Sequence, residues 1–449
     1  MKTHLNFIRG CSRSEAGASS SDFSHSIAAF LIAAPHSGSG KTTIARGLMV
    51  LFRRKGYTVQ PFKCGPDYID TKFHERVCGR PSVNLDSFFA SEEHLRELFS
   101  HYSEGADIAV VEGMMGLYDG YDRDRGSSAE IARILDLPIV LVVDAHSAAY
   151  SMAALLQGFI QFRPGLTYAG VIFNKVGSER HFQMLQQVCE DLQVPCLGYL
   201  PKDVSLEQGS RYLGLDFTEK TENEELVHLL GEHVDWRRMI SEERRLTTLC
   251  QHPKTHLDNK ILVARNAESF SFLYQETLDH LASLGSVEFF DPEDKSFTLH
   301  PSSYTFLFLP GGYPEKHLEA LVRNEACRKA ILEYAEQGGH IIAECGGMMY
   351  LCQSIITDDG EYPMCGVLPY KISVRKTDCR LSLGYRKFVL DGKEYRGHEF
   401  HYTQFLNDVP PSIVQVYNAQ GEPVPTPIIR YKNVLASYTH IYNSYELKK

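Results

Sequence analysis

The residues Ala34-Pro35-His36-Ser37-Gly38-Ser39-Gly40-Lys41-Thr42-Thr43 follow an apolar run and open an amphipathic one, which is where a phosphate cradle belongs. Gly38 and Gly40 let backbone N–H groups approach phosphate oxygens, with Ser39 and Thr43 in the same loop. Lys41 can neutralise the β/γ charge and the Thr42 hydroxyl can ligate magnesium, so the expected ligand is ATP with Mg²⁺. Pro35 stands where the strict GxxxxGK[ST] pattern has its first glycine, as in deviant P-loops. The rival reading is a chance GSGKTT at a strand–helix junction.

Magnesium takes hard oxygen ligands, so further carboxylates are expected at the same edge. Glu112 closes the run DIAVVEG, and Asp67 and Asp70 lie in the polar segment after another apolar run. Each of those two is equally readable as a loop acid or a helix cap. Asp119, in Gly116-Leu117-Tyr118-Asp119-Gly120, is placed to contact the metal or the reacting phosphate. Asn174, after YAGVIFNKV, reads either as a purine contact or as a capping residue.

A second chemistry is written around Cys345. Ile341-Ile342-Ala343-Glu344-Cys345-Gly346-Gly347 puts a thiol on a sharp strand-to-helix turn, the arrangement of a nucleophile elbow. A helix N-terminus is expected to lower the thiol's pKa, with the Gly346 N–H facing a developing oxyanion. Gly311 and Gly312, in Leu309-Pro310-Gly311-Gly312-Tyr313, offer the second oxyanion donor and a glutamine-binding edge. His440 in SYTHIY is the expected proton acceptor. His398-Glu399-Phe400-His401 looks like a zinc motif but has Tyr402 where HExxH needs histidine, so no metal is assigned there.

These residues need rigid elements to hold them. The chain has 449 residues, 43% hydrophobic and 23% charged, which fits about two domains of ~200 residues. Apolar runs buried on both faces alternate with amphipathic stretches, so the fold class is α/β: an N-terminal P-loop domain on a parallel sheet, then a class I glutamine amidotransferase-like domain. The expected boundaries are a disordered extension over 1–26, an ATP-binding domain over 27–217, a charged helical linker over 218–258 and the amidotransferase domain over 259–449. The extension also reads as a mis-called start or, less well, a transit peptide.

A net charge of −10 without any Lys/Arg run excludes the usual nucleic-acid partner. No apolar run reaches the roughly 18 residues of a membrane span. Eleven scattered cysteines without CxxC spacing point to a reducing cytoplasm.

With both halves in place, the chain resembles the cobyrinic acid a,c-diamide synthase family from about residue 28 onward. The likeness is carried by SGSGKTT, FKCGPDYIDTKFH, RPSVNLDSFF, VEGMMGLYDG, GSSAEIARILDLPIVLVVDA, LPGGYPE, ECGGMMYL, LGYR, RGHEFHYT and SYTHIY. The resemblance implies ATP-dependent amidation of two peripheral carboxylates of a corrinoid-type tetrapyrrole through acyl phosphates, with L-glutamine as nitrogen donor. It implies Cys345 as nucleophile and His440 as its partner, Asp67, Asp70 and Glu112 serving nucleotide and metal, Asp119 at the phosphorylation step, and Tyr68 and Ile69 bordering the macrocycle. It also suggests a homodimer.

Most class I glutaminases carry Glu two residues beyond the histidine, but Tyr442 stands here, which leaves the third member of the site unknown. Asn266 likewise occupies a position where Asp is expected. Hydrogenobyrinate and a nickel sirohydrochlorin are alternative substrates for the same chemistry. A cobyric acid synthase is disfavoured by GPDYID, and a P-loop switch ATPase or a regulator with a dead glutaminase fold by the Cys345 and His440 pair. Ammonia must cross between the domains, so the thiol site is expected to open toward the P-loop domain.

Overall fold

The computed structural model describes residues 24–202, 223–241, 243–247, 259–296, 300, 303–406 and 409–442. The first apolar run forms β1 (Ser24–Ala33), and period-2 alternation sends its side chains into two different layers. Ile27, Ala29, Leu31 and Ala33 enter one core, whereas Ala28, Phe30 and Ile32 enter the other. Each fully buried Leu, Ile or Phe contributes about 1.5–3 kcal/mol, which makes this strand the natural centre of its sheet.

Around it stand β2 (Val59–Cys64), β3 (Val83–Leu85), β4 (Ile108–Glu112), β5 (Ile139–Asp144), β6 (Tyr168–Val176) and β7 (Cys196–Pro201). Their order is β3-β2-β4-β1-β5-β6-β7, with every neighbouring pair parallel. Parallel strands need crossover helices, among them α1 (Lys41–Arg54) and α2 (Asp70–Cys78). The phosphate loop and the Asp67 segment therefore leave the same C-terminal edge, the position where open α/β sheets bind ligands.

The segment expected as a linker is built into this domain. Helices Glu224–His233 and Trp236–Met239 bring Leu226, Leu230 and Trp236 into the α1 core. Gly47 of α1 admits this approach, since a Cβ there would lie 2.4 Å from Leu230 Cδ1. Strand β8 (Glu243–Thr247) then pairs antiparallel with the beginning of β1, in register Ser24↔Thr247 to Ala28↔Glu243. Ser24 to Ser26, expected at the end of a disordered extension, already belong to β1; residues 1–23 of that expected extension lie outside the described residues.

The second sheet contains β9 (Asn259–Ala264), β10 (Gly285–Phe290), β11 (Phe306–Leu309) and β12 (Ile341–Glu344) in the order β10-β9-β11-β12, followed by strands Val434–Ser437 and Ile428–Tyr431. All junctions are parallel except the last. A separate antiparallel sheet includes strands Ser382–Leu390, Lys393–His401 and His440–Ile441. The domains meet through buried Tyr68, Phe272, Tyr274 and Tyr442. Hydrogen bonds also cross, from Tyr385 Oη to Asp86 (2.7 Å) and from Arg396 Nη1 to the Phe88 carbonyl (2.7 Å). No helix among the described residues is long and apolar enough to cross a membrane.

Candidate active site

Gly38 and Gly40 adopt φ values of 85° and 94°, a region that side chains other than glycine rarely enter. A Cβ on Gly40 would lie 2.1 Å from Asn174 Nδ2, and that amide donates to the Ser39 carbonyl at 3.0 Å. Asn174 thus braces the phosphate loop from β6. Thr42 and Thr43 open α1 beside Lys41, whose Nζ donates to the Met115 carbonyl at 2.7 Å. Burial draws the Lys41 pKa down to about 8, and the charge on Lys63 acts in the same direction. Glu112 and Asp70 offset this only in part.

The expected acids divide into three placements. Glu112 is fully buried; it accepts from Thr42 Oγ1 in a short contact, from Lys63 Nζ at 2.8 Å and from His74 Nε2 at 2.7 Å. Asp70 is equally buried and is held by Lys63 Nζ (2.6 Å) and Arg46 Nη2 (3.0 Å), so its oxygens face cations of the protein. Asp67 caps its own turn, accepting from the Ile69 and Asp70 amides at 2.8 Å, and lines an open cavity. Asp119 lines the same cavity and accepts from the Gly116 amide at 2.9 Å. Lys63, Arg46 and His74 were not singled out from sequence; Lys63 ends β2 inside the FKCGPDYID motif, which is the only signal it carries.

At the other centre, Cys345 directly follows β12 with φ 46° and ψ −108°, a strained conformation that costs on the order of 1–3 kcal/mol. Its amide donates to the Ser437 carbonyl at 2.7 Å, which anchors the elbow. A Cβ on Gly347 would meet the Leu309 carbonyl oxygen at 2.0 Å, so the bend tolerates no side chain there. Gly311 is wedged between Cys345 and His440: a Cβ would lie 2.2 Å from His440 Cε1 and 3.2 Å from Cys345 Cβ. Gly312 packs against the Ser269 carbonyl, and Gly346 against Gly312, closing the loop over the thiol.

Sequence reasoning expects the helix N-terminus to lower the thiol's pKa. Burial instead pushes it up, Glu315 adds to this, and the Gly346 amide opposes it only in part. Burial and Glu315 thus both favour the protonated thiol.

Glu344 supplies a carboxylate that the sequence left unassigned. Its Oε2 lies 3.6 Å from His440 Nδ1 and its Oε1 accepts from the Ile441 amide at 2.9 Å. Tyr442, at the position where a glutamate is usual, instead donates to Glu276 and stacks on Phe89 at 4.7 Å between ring centroids. Asn266 donates to Ser269 (2.6 Å), Asp291 (2.9 Å) and Glu293 (2.9 Å); an Asp could donate to none of them.

Between the centres lies a cavity of about 670 Å³ with walls from both domains. Asp67, Tyr68, Ile69, Met115 and Asp119 come from the first domain; Phe272, Tyr385, Arg386, His398 and Phe400 come from the second. The Tyr68 ring also sits 4.8 Å from the His440 ring, so one residue borders both the cavity and the thiol site. The thiol site therefore meets the P-loop domain at a packed ring contact, with Cys345 and His440 both buried.

The apparent HEFH motif is a structural bridge. Burial opposes ionisation of Glu399, but His401 (2.7 Å), Arg386 (2.5 Å) and Thr426 (2.7 Å) hold its carboxyl down at about 2.

Residues 30–213 match the family described as the CobQ/CobB/MinD/ParA nucleotide binding domain, and residues 260–446 match the CobB/CobQ-like glutamine amidotransferase domain. A cobyrinate a,c-diamide synthase from Caldanaerobacter subterraneus subsp. tengcongensis is 38% identical over 439 residues, 94% of this chain and 96% of that one. The chain belongs to the cobyrinate and hydrogenobyrinate a,c-diamide synthase family. Within that family, a Listeria monocytogenes cobyrinate a,c-diamide synthase is 39% identical, covering 92% of this chain and 95% of its own. A Brucella anthropi hydrogenobyrinate a,c-diamide synthase is 37% identical, covering 92% and 98%.

Proposed function

We propose that this chain converts two carboxylates of cobyrinate to the a,c-diamide, consuming ATP and glutamine, in cobalamin biosynthesis. The observation that carries the reading is the shared cavity: Asp67 and Asp119 line its first-domain side, Lys41 bonds the carbonyl of Met115 on that same side, and Tyr68 there meets the His440 ring. A carboxylate resists ammonia because its oxygen leaves poorly, and phosphorylation by ATP removes that obstacle. Lys41 neutralises the transferring phosphate, Asn174 keeps its loop in place, and Asp119 lies on the cavity wall beside the acyl phosphate.

Among the described residues, no three His, Cys, Asp or Glu side chains stand close enough to hold a metal by themselves. Magnesium takes much of its shell from phosphates and water, so it needs few protein ligands. Thr42, Glu112 and Asp67 would hold it, with Asp70 behind them fixing Lys63. When bound, magnesium supplies charge neutralisation at the phosphates.

Cys345 attacks the side-chain amide of glutamine, and His440 takes the thiol proton and delivers it to the leaving ammonia. Water then releases glutamate from the thioester. Tyr68 and Ile69 border the macrocycle on the first domain's side. The acceptor is a tetrapyrrole polycarboxylate, and a reducing cytoplasm suits nine described cysteines that are all free thiols.

The test incubates the protein with MgATP, glutamine and cobyrinic acid, following the macrocycle by mass spectrometry. Two successive losses of about one mass unit are expected, and Cys345→Ala is expected to amidate only when given ammonium chloride. Consumption of ATP and glutamine without change in cobyrinic acid would remove it as substrate. Hydrogenobyrinic acid tested in parallel would then distinguish the two macrocycles named among the relatives.

A further inference from the structure

The LGYR and RGHEFHYT motifs meet in one row across the antiparallel sheet. Tyr385 pairs with His398, and His398 pairs with His440, each directly opposite in register. Directly opposed residues project from the same face with Cβ atoms about 4.5–5.5 Å apart, so the three side chains form a continuous line. One end is the imidazole of the thiol site. The other is Tyr385, in the cavity, bonded through its hydroxyl to Asp86 of the first domain.

His398 stands between them. It lines the cavity, yet it is only 8% exposed, and its Nδ1 is buried without a hydrogen-bond partner. A histidine kept for packing satisfies its nitrogens, whereas this one keeps polar capacity in reserve. The Tyr385 ring meets it edge-on at 5.6 Å, and the flanking Arg386 is already bonded to Glu399. On the basis of the amidation reading above, we propose that His398 is the relay residue for ammonia, receiving it at the thiol site and passing it into the cavity.

A neutral imidazole offers one donor and one acceptor, which matches a molecule that both donates and accepts. Burial, reinforced by the nearby His440 and Arg386, draws the His398 pKa down to about 3. The ring therefore stays neutral at working pH and cannot convert ammonia to unreactive ammonium. No bond is made or broken in this step: ammonia enters and leaves as NH3.

The experiment measures glutamate released and amide formed on cobyrinic acid by wild type, His398→Phe and His398→Gln, each fed first glutamine and then ammonium chloride. The expected result is a several-fold higher glutamate-to-amide ratio for His398→Phe, with amidation from glutamine falling more than amidation from ammonium. His398→Gln, which retains a donor and an acceptor, is expected to lie between. Parallel loss from both nitrogen sources at an unchanged ratio would instead assign His398 to macrocycle binding and overturn the relay. Loss of glutamate release itself would make it a support for His440, with the same consequence. Wild type that hydrolyses glutamine and amidates neither cobyrinic nor hydrogenobyrinic acid would overturn the amidation reading, and the relay with it.

Discussion

The phosphate site and the thiol site occupy corresponding ends of two parallel sheets, each just beyond a central strand, but their electrostatics differ. Around the phosphate loop, Lys41, Lys63 and Arg46 meet Asp70 and Glu112 in a buried lattice of charge. Around Cys345 the neighbouring charges are the acids Glu315, Glu399 and Glu344, and aromatic rings fill the approach. The first arrangement waits for an anion. In the second, burial and the neighbouring acids both favour the protonated thiol.

This contrast is tested most severely by Lys41→Ala. Amide formation from either nitrogen source should fall on the order of 10³-fold, while glutamate release continues, as assayed by separate product analysis. Gly311→Ala should act in the opposite sense. The added methyl strikes His440, so glutamine hydrolysis should fall about 10²-fold with a smaller loss of ammonium-fed amidation.

Glu344→Gln keeps an oxygen for the Ile441 amide but removes the charge facing His440, and should lower the kcat for glutamine hydrolysis about tenfold. A wild-type rate in that variant would reduce the centre to a dyad. The smallest effect concerns pH. Free Lys41 loses its proton as pH rises through about 8, whereas bound phosphate would retain it. ATP binding should then take up a proton above pH 8, with affinity falling by up to about tenfold per unit, measurable by calorimetry in buffers of different ionisation enthalpy.

Local chemistry was legible in the sequence wherever a few adjacent residues define the geometry. Gly38 to Thr43 and Cys345 to Gly347 each specify a turn and a helix start, and the structure builds both. Pairings across long separations were not. Nothing in Glu243–Thr247 announces that it returns to β1, since a short charged strand carries no apolar alternation. Glu344 was visible beside the nucleophile, but only the strand's orientation turns its carboxylate toward a histidine nearly a hundred residues later in the chain. The rise in the Cys345 pKa was missed for a related reason: a helix terminus is local, whereas burial is collective. The sequence ruled out a metal motif at His398 but assigned it no other role, and only strand register places it opposite His440.

Tyr68 has a consequence for regulation that neither centre has alone. Its ring is wall to the cavity and neighbour to His440, so it cannot shift for one ligand without altering the surroundings of the other. Any change in glutamine affinity caused by the macrocycle through this ring must be matched, factor for factor, by a change in macrocycle affinity caused by glutamine. One shared side chain is thereby enough to make the nitrogen source and its acceptor thermodynamically aware of each other.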